Sequence, residues 1–146
     1  MSLVIRAGPP EHHRFFAERM NLYWTPGFRT VEAFDTERGV PVAAAGYDHW
    51  TENGCEMHTW VDDPRVFFKR ETLFAVFDYV FNQCGKGVVW TMTAAFNQKS
   101  IRFTKGLGFK LHAIIEDGWS PGVPMFMFTL RKEDCRFLKQ PARKAA

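Results

Sequence analysis

The chain has 146 residues, 46% of them hydrophobic, a size that buries one core without disulfide or metal staples. No apolar run approaches the roughly 20 residues of a membrane helix, and Met1-Ser2-Leu3-Val4-Ile5-Arg6-Ala7-Gly8 is too short for a signal peptide, so a cytoplasmic protein with no membrane partner is expected. The net charge of +3 sits at one end: residues 131 to 146 carry six basic side chains against two acidic ones, which leaves the other 130 residues at −1 and gives no support to a nucleic-acid-binding face.

Leu3 to Arg6 reads as a short strand, Gly8-Pro9-Pro10 as a break, and Glu11 to Met20 as a helix with Phe16 and Met20 on one face. Pro26-Gly27 interrupts again. Thr30 to Asp35, Val40 to His49 and Cys55 to Asp62 follow as three strands, joined by turns short enough for antiparallel hairpins. Leu73, Val76, Phe77, Val80 and Phe81 recur at i, i+3, i+4, i+7 and i+8, the spacing of a helix buried along one stripe, and Gly85 closes it. Asp63-Pro64 reads as the capping residue and first-turn proline that begin this segment. Val88 to Thr93 is a β-branched strand, and Asn97 caps a helix in which Ile101, Thr104 and Leu107 fall at helical spacing. Phe109 to Glu116 and Pro124 to Arg131 then form a last antiparallel pair across Gly118-Trp119-Ser120-Pro121-Gly122. Residues 1–138 read as a single domain and 139–146 as a flexible basic tail. Cys55, Cys84 and Cys135 are odd in number and form no C-x-x-C pair, so neither a disulfide framework nor a zinc site is signalled.

Asn97-Gln98-Lys99-Ser100-Ile101-Arg102-Phe103-Thr104-Lys105-Gly106-Leu107-Gly108-Phe109 resembles the N-x-x-[SA]-x-x-[FL]-x-x-x-[LM]-G-F segment of the GNAT superfamily of acetyl-CoA-dependent acyltransferases. The closing Phe128-Thr129-Leu130-Arg131-Lys132-Glu133-Asp134-Cys135-Arg136-Phe137-Leu138 is similar to the ending common among bacteriophage members, which would place the protein in a host cytoplasm. The resemblance implies an α/β (α+β) fold: a mixed, mostly antiparallel central sheet with splayed middle strands, here Cys55 to Asp62 and Val88 to Thr93, and helices on both faces. It also implies acetyl-CoA as acyl donor and no metal. The pantetheine arm would enter the splay, where strand amides near Trp60 to Asp62 lack ladder partners. Trp60, Val61, Asn97, Ser100 and Phe103 are the residues it places along that arm.

The CoA pyrophosphate is expected at the N-terminus of the long helix, where free N–H groups and the dipole favour an anion. The family cradle [QR]-x-x-G-x-[GA] is replaced here: Phe67 and Lys69 stand at the two small-residue positions, and Arg65, Lys69 and Arg70 surround them. Side-chain charge is read as substituting for close backbone approach, the alternative being a solvated helix start.

Transfer to an amine needs a base, because an alkyl ammonium has a pKa near ~10.4. Glu56 and His58 share a strand face with Trp60 and are the first candidates, with Asp48 and His49 in reserve. The superfamily's usual acid, a tyrosine, is replaced by Thr104, whose hydroxyl or that of Ser100 could donate through water. The resemblance, with these residues in place, implies an N-acetyltransferase acting by direct attack on a small-molecule or peptide amine. An enzyme acylating an aminated base of phage DNA and an inactive CoA-binding module are the alternatives. A homodimer pairing the edge at Phe109 to Arg131 is a further expectation.

Overall fold

A computed structural model describes residues 2–139. The predicted tail beyond Lys139 therefore lies outside the described residues, and no described helix is long and apolar enough to cross a membrane. Seven strands form one sheet in the order β1-β2-β3-β4-β5-β7-β6: β1 (Leu3–Ala7), β2 (Arg29–Asp35), β3 (Val40–Asp48), β4 (Gly54–Val61), β5 (Val88–Ala94), β6 (Lys110–Ser120) and β7 (Val123–Arg131). Every neighbouring pair is antiparallel except β4 with β5. The antiparallel pairs follow from tight turns. Between β2 and β3 the Asp35 carboxylate accepts the N–H groups of Glu37 (3.0 Å) and Arg38 (3.3 Å), and Gly39 turns the chain at φ 69°.

The parallel pair needs a crossover, which α2 (Pro64–Phe67) and α3 (Arg70–Asp78) supply. The single helix expected from Asp63-Pro64 onward is thus two helices: Phe68 ends the first, and Lys69, in extended conformation, caps the second. Asp63 caps α2 by accepting the Arg65 N–H at 3.0 Å. The end of α3 widens into a π-helical turn at Tyr79–Gln83 before Gly85 (φ 68°) stops it, and all five residues of the predicted stripe, Leu73 to Phe81, are buried.

With α4 (Gln98–Gly106), these helices cover one face of the sheet over the main core, which includes Tyr47, Met57, Phe67, Phe77, Phe81, Ile101 and Phe128. The opposite face carries α1 (Pro10–Arg19), whose Phe16 and Ala17 pack with Phe28, Ala44 and Trp60. Gly46 is required there: a Cβ at this position would stand 2.6 Å from the Phe28 ring. Past β7 the chain folds back, with Phe137 stacked on Phe77 (5.4 Å, 6°) and Arg136 donating to the Gly106 carbonyl at 2.6 Å, a cation on the last turn of α4.

The final hairpin is longer than expected. Gly118-Trp119-Ser120 belongs to β6, and the turn is confined to Pro121-Gly122. Asp117 at φ 59° and a shifted register between Ile115 and Ser120 mark a bulge, where Asp117 accepts the Gly122 N–H at 2.7 Å. The glycine that reads as a turn signal is there because a Cβ at Gly118 would meet the Ile115 carbonyl and Met125 at 2.9 Å.

Candidate active site at the fork of the sheet

β4 and β5 pair at only three positions, Gly54 with Val88, Cys55 with Val89 and Glu56 with Trp90. Beyond Glu56 each strand keeps only its outer neighbour, β3 for β4 and β7 for β5, and the two part. Two bonds fix which backbone groups face the opening. The Asp62 N–H donates to the Val42 carbonyl (3.0 Å) and the Lys132 N–H to the Gly87 carbonyl (2.9 Å), so even residues of β4 bond to β3 and odd residues of β5 bond to β7. The groups turned into the gap therefore include those of Thr59, Val61 and Met92. The expected opening at Trp60 to Asp62 is corrected in phase: Trp60 and Asp62 direct their amides to β3, and Val61 alone of that trio faces the gap.

On the α3/α4 side the fork opens into a cleft of about 360 Å³ lined by Thr59, Val61, Pro64, Phe68, Asn97, Lys99, Ser100 and Phe103. Four of the residues expected along a cofactor arm, Val61, Asn97, Ser100 and Phe103, meet here. Asn97 caps α4 by accepting the Ser100 N–H at 3.1 Å, and the Ser100 hydroxyl lies 3.5 Å from that of Thr93. Phe68 and Phe103 pack edge to face (5.5 Å), with half of Phe68 exposed at the mouth. A separate narrow space of about 20 Å³ shares Thr59 and Phe103 with the cleft and is also lined by Thr104, which is buried.

Trp60 is elsewhere. Alternation along β4 sends it to the α1 face, against Phe15 (6.0 Å) and Phe16 (5.9 Å), so it does not line the cleft. At the cradle position Phe67 is wholly buried and fills core rather than approaching a ligand. Arg65 is 84% exposed and bound to Asp63 through two of its nitrogens, Nε to Oδ1 at 3.0 Å and a terminal nitrogen to Oδ2 at 2.9 Å, which holds the Asp63 carboxyl below the usual range. Lys69 and Arg70 flank the start of α3. In that first turn the Thr72 hydroxyl is buried without a hydrogen-bond partner among the described residues.

The α1 face of the fork carries the titratable groups. Asp48 and Glu56 are direct cross-strand partners on β3 and β4, and His58 follows two residues on from Glu56, opposite Gly46. His58 Nε2 lies 2.7 Å from Asp48 Oδ1 and 3.7 Å from Glu56 Oε1. His49, just past β3, adopts φ 49°, and its Nδ1 stands 3.1 Å from Asp48 and 3.6 Å from Glu56. Asp48 is buried, while the Glu56 and His58 side chains are 12% and 14% exposed. The reserve candidate Asp48 is thus the partner of His58. Sequence reasoning passed over Thr59, Lys99 and Phe68, although period-two alternation from Glu56 and His58 puts Thr59 on the opposite face.

No cysteine lines the cleft. Cys55, on the core side, has its thiol pushed up to about 12 by burial, and burial also raises Cys135. No tyrosine lines the cleft: the Tyr47 hydroxyl is buried and donates to the Val76 carbonyl at 2.6 Å.

Solved structures share this architecture. Spermidine/spermine N-acetyltransferase SpeG from Vibrio cholerae, in mutant forms, aligns with a TM-score of 0.73 at 13% identity over 94% of this chain and 96% of that chain. A protein assigned to the GNAT family of acetyltransferases from Desulfovibrio desulfuricans aligns at 0.67 and 16% identity, over 89% and 99%. A dodecameric spermidine N-acetyltransferase from Vibrio cholerae aligns at 0.69 and 13%, over 90% and 94%. No family model matches the sequence, and no curated protein matches it. At these identities the likeness establishes the fold: a GNAT-type mixed sheet with splayed middle strands and helices on both faces.

Proposed function

We propose that the protein is an N-acyltransferase that moves an acetyl group from acetyl-CoA to a primary amine by direct attack. The carrying observation is the fork at Glu56 and Trp90, which opens a cleft on one face of the sheet and sets the His58–Asp48 pair on the other. The donor fits this chain: Thr59, Val61 and Met92 offer strand groups without ladder partners for pantetheine amides, flanked by Asn97, Ser100 and Phe103. Lys69, Arg70 and the amides of the first α3 turn would hold the phosphates, with Arg65 drawn in if it exchanges Asp63 for them. Acetyl-CoA supplies a thioester whose thiol, with a pKa of ~8.5, leaves readily without a dedicated acid. That makes the absence of a cleft tyrosine tolerable and leaves Thr104 and Ser100 only an assisting role through water.

The chain's own work is proton removal and placement. His58, oriented by Asp48, takes the amine proton, and the Glu56 carboxylate 3.7 Å away stabilises the imidazolium that results. The two mostly buried carboxylates favour an acceptor that arrives as a cation, which suits an alkyl amine or a polyamine of the kind named for the Vibrio cholerae proteins. The reading extends to a bacteriophage-type enzyme of the host cytoplasm, on the closing segment Phe128 to Leu138, and to a homodimer paired at the β6 edge, where Leu111, Ile114 and Ile115 are exposed. Mass measurement by light scattering tests the dimer.

The test of the activity is thiol release from acetyl-CoA with a panel of alkyl amines, polyamines, peptides and aminated nucleotides, run with a chelator present. Turnover on an amine, lowered by about 10² to 10⁴ in His58→Gln, is expected. Saturable CoA binding without transfer to any acceptor would replace the enzyme with a binding module.

A further inference from the structure

We propose that Asp48, His49, Glu56 and His58 form a binding site for one divalent first-row transition ion, a zinc-class metal, on the α1 face at the β3–β4 hairpin. Four ligand atoms, one from each residue, lie within 4.8 Å of one another. The closer approaches among them are 2.7, 3.1, 3.6 and 3.7 Å. A tetrahedral ion with ligands at about 2.0 to 2.2 Å requires ligand atoms about 3.3 Å apart, and these separations straddle that value.

Two local features of the hairpin call for a cation here. Asp48 and Glu56 stand directly opposite across the ladder with both carboxylates largely shielded from water, an arrangement that like charges disfavour. His49 holds a left-handed backbone, uncommon for a residue with a Cβ, and this conformation returns its ring to the carboxylates. Two imidazoles with two carboxylates suit zinc, manganese, cobalt or nickel rather than calcium or magnesium. No sulfur is required: Cys55 immediately precedes Glu56 on β4, but its side chain belongs to the core on the other side of the sheet.

The proposal goes beyond acyl transfer and does not depend on it. If both hold, a bound ion engages Asp48 and His58, the pair that removes the amine proton, and metal suppresses transfer reversibly.

The test uses the full chain stripped with a chelator, then titrated with zinc chloride by calorimetry and with cobalt chloride by visible absorption. One ion per chain is expected, with the intense ligand-field bands of four-coordinate cobalt. His49→Ala and Asp48→Asn should each weaken affinity by about tenfold or more. The His49 ring is 63% exposed, so its removal leaves a folded protein for the measurement even where Asp48→Asn does not fold. No saturable binding of either ion, or affinity unchanged in His49→Ala, overturns the site. Binding is read without acetyl-CoA or acceptor, so an enzyme that transfers acetyl but holds no metal refutes this proposal alone, and a protein that holds metal but transfers nothing refutes only the other.

Discussion

The two faces of β4 differ sharply although one strand supplies both. Towards α3 and α4 it presents Met57, Thr59 and Val61, apolar or small, beside an open cleft; towards α1 it presents Glu56, His58 and Trp60, with Asp48 and His49 converging from β3. In a continuous sheet these faces would be sealed from each other. Here the ladder to β5 ends at Glu56, so beyond it a group lying in the gap is reachable from either side. The fork therefore separates the cleft from the titratable cluster while keeping them one residue apart along β4.

That separation can be broken by substitution. The largest effect is expected for His58→Gln, which should lower turnover by about 10² to 10⁴ while leaving acetyl-CoA affinity unaltered; a parallel loss of affinity by calorimetry would show that the two faces are not independent. Ser100→Trp attacks the other face, and overfilling the cleft should reduce acetyl-CoA affinity by about tenfold or more with the His58 cluster intact. Replacing Lys69 and Arg70 together by alanine should weaken CoA binding a few-fold at low salt and progressively less as salt rises. A salt-independent loss would argue against phosphate contacts. Asn97→Ala removes the α4 cap and should cost about 1 kcal/mol in denaturant unfolding.

The smallest effect concerns α1. Burial lowers the His13 pKa, against the hydrogen bond to the Gly8 carbonyl at 3.2 Å and assisted by Arg29. The folded state therefore favours neutral imidazole. Below the ordinary pKa of 6.5 the unfolded chain binds the extra proton, so stability is full above that pH and falls as pH drops through it. Denaturant midpoints at pH 7.5 and 5.5 should differ less in His13→Gln than in the wild type.

Much of the architecture was legible because period and turn chemistry agree. The stripe from Leu73 to Phe81 is apolar at every inward position, and Asn97 caps its helix as its side chain dictates. The break at Phe68–Lys69 was not legible, since neither glycine nor an internal proline marks it. In the site, Val61, Asn97, Ser100 and Phe103 came together because strand and helix junctions are local. Trp60 and the Asp48–His58 pair required the phase of the ladder and the β3–β4 register, which depend on the hairpin geometry at His49. The alternation that sets Trp60 on one face with Glu56 and His58 leaves Thr59 and Val61 for the cleft.

The central claim is that acetyl-CoA occupies the gap between β4 and β5. Amide hydrogen exchange, with and without acetyl-CoA, tests it most directly. Slowed exchange is predicted at Thr59, Val61 and Met92, with little change at Trp60 and Asp62, whose amides already bond to β3. Unchanged exchange at Thr59 and Val61 under saturating acetyl-CoA would contradict the account.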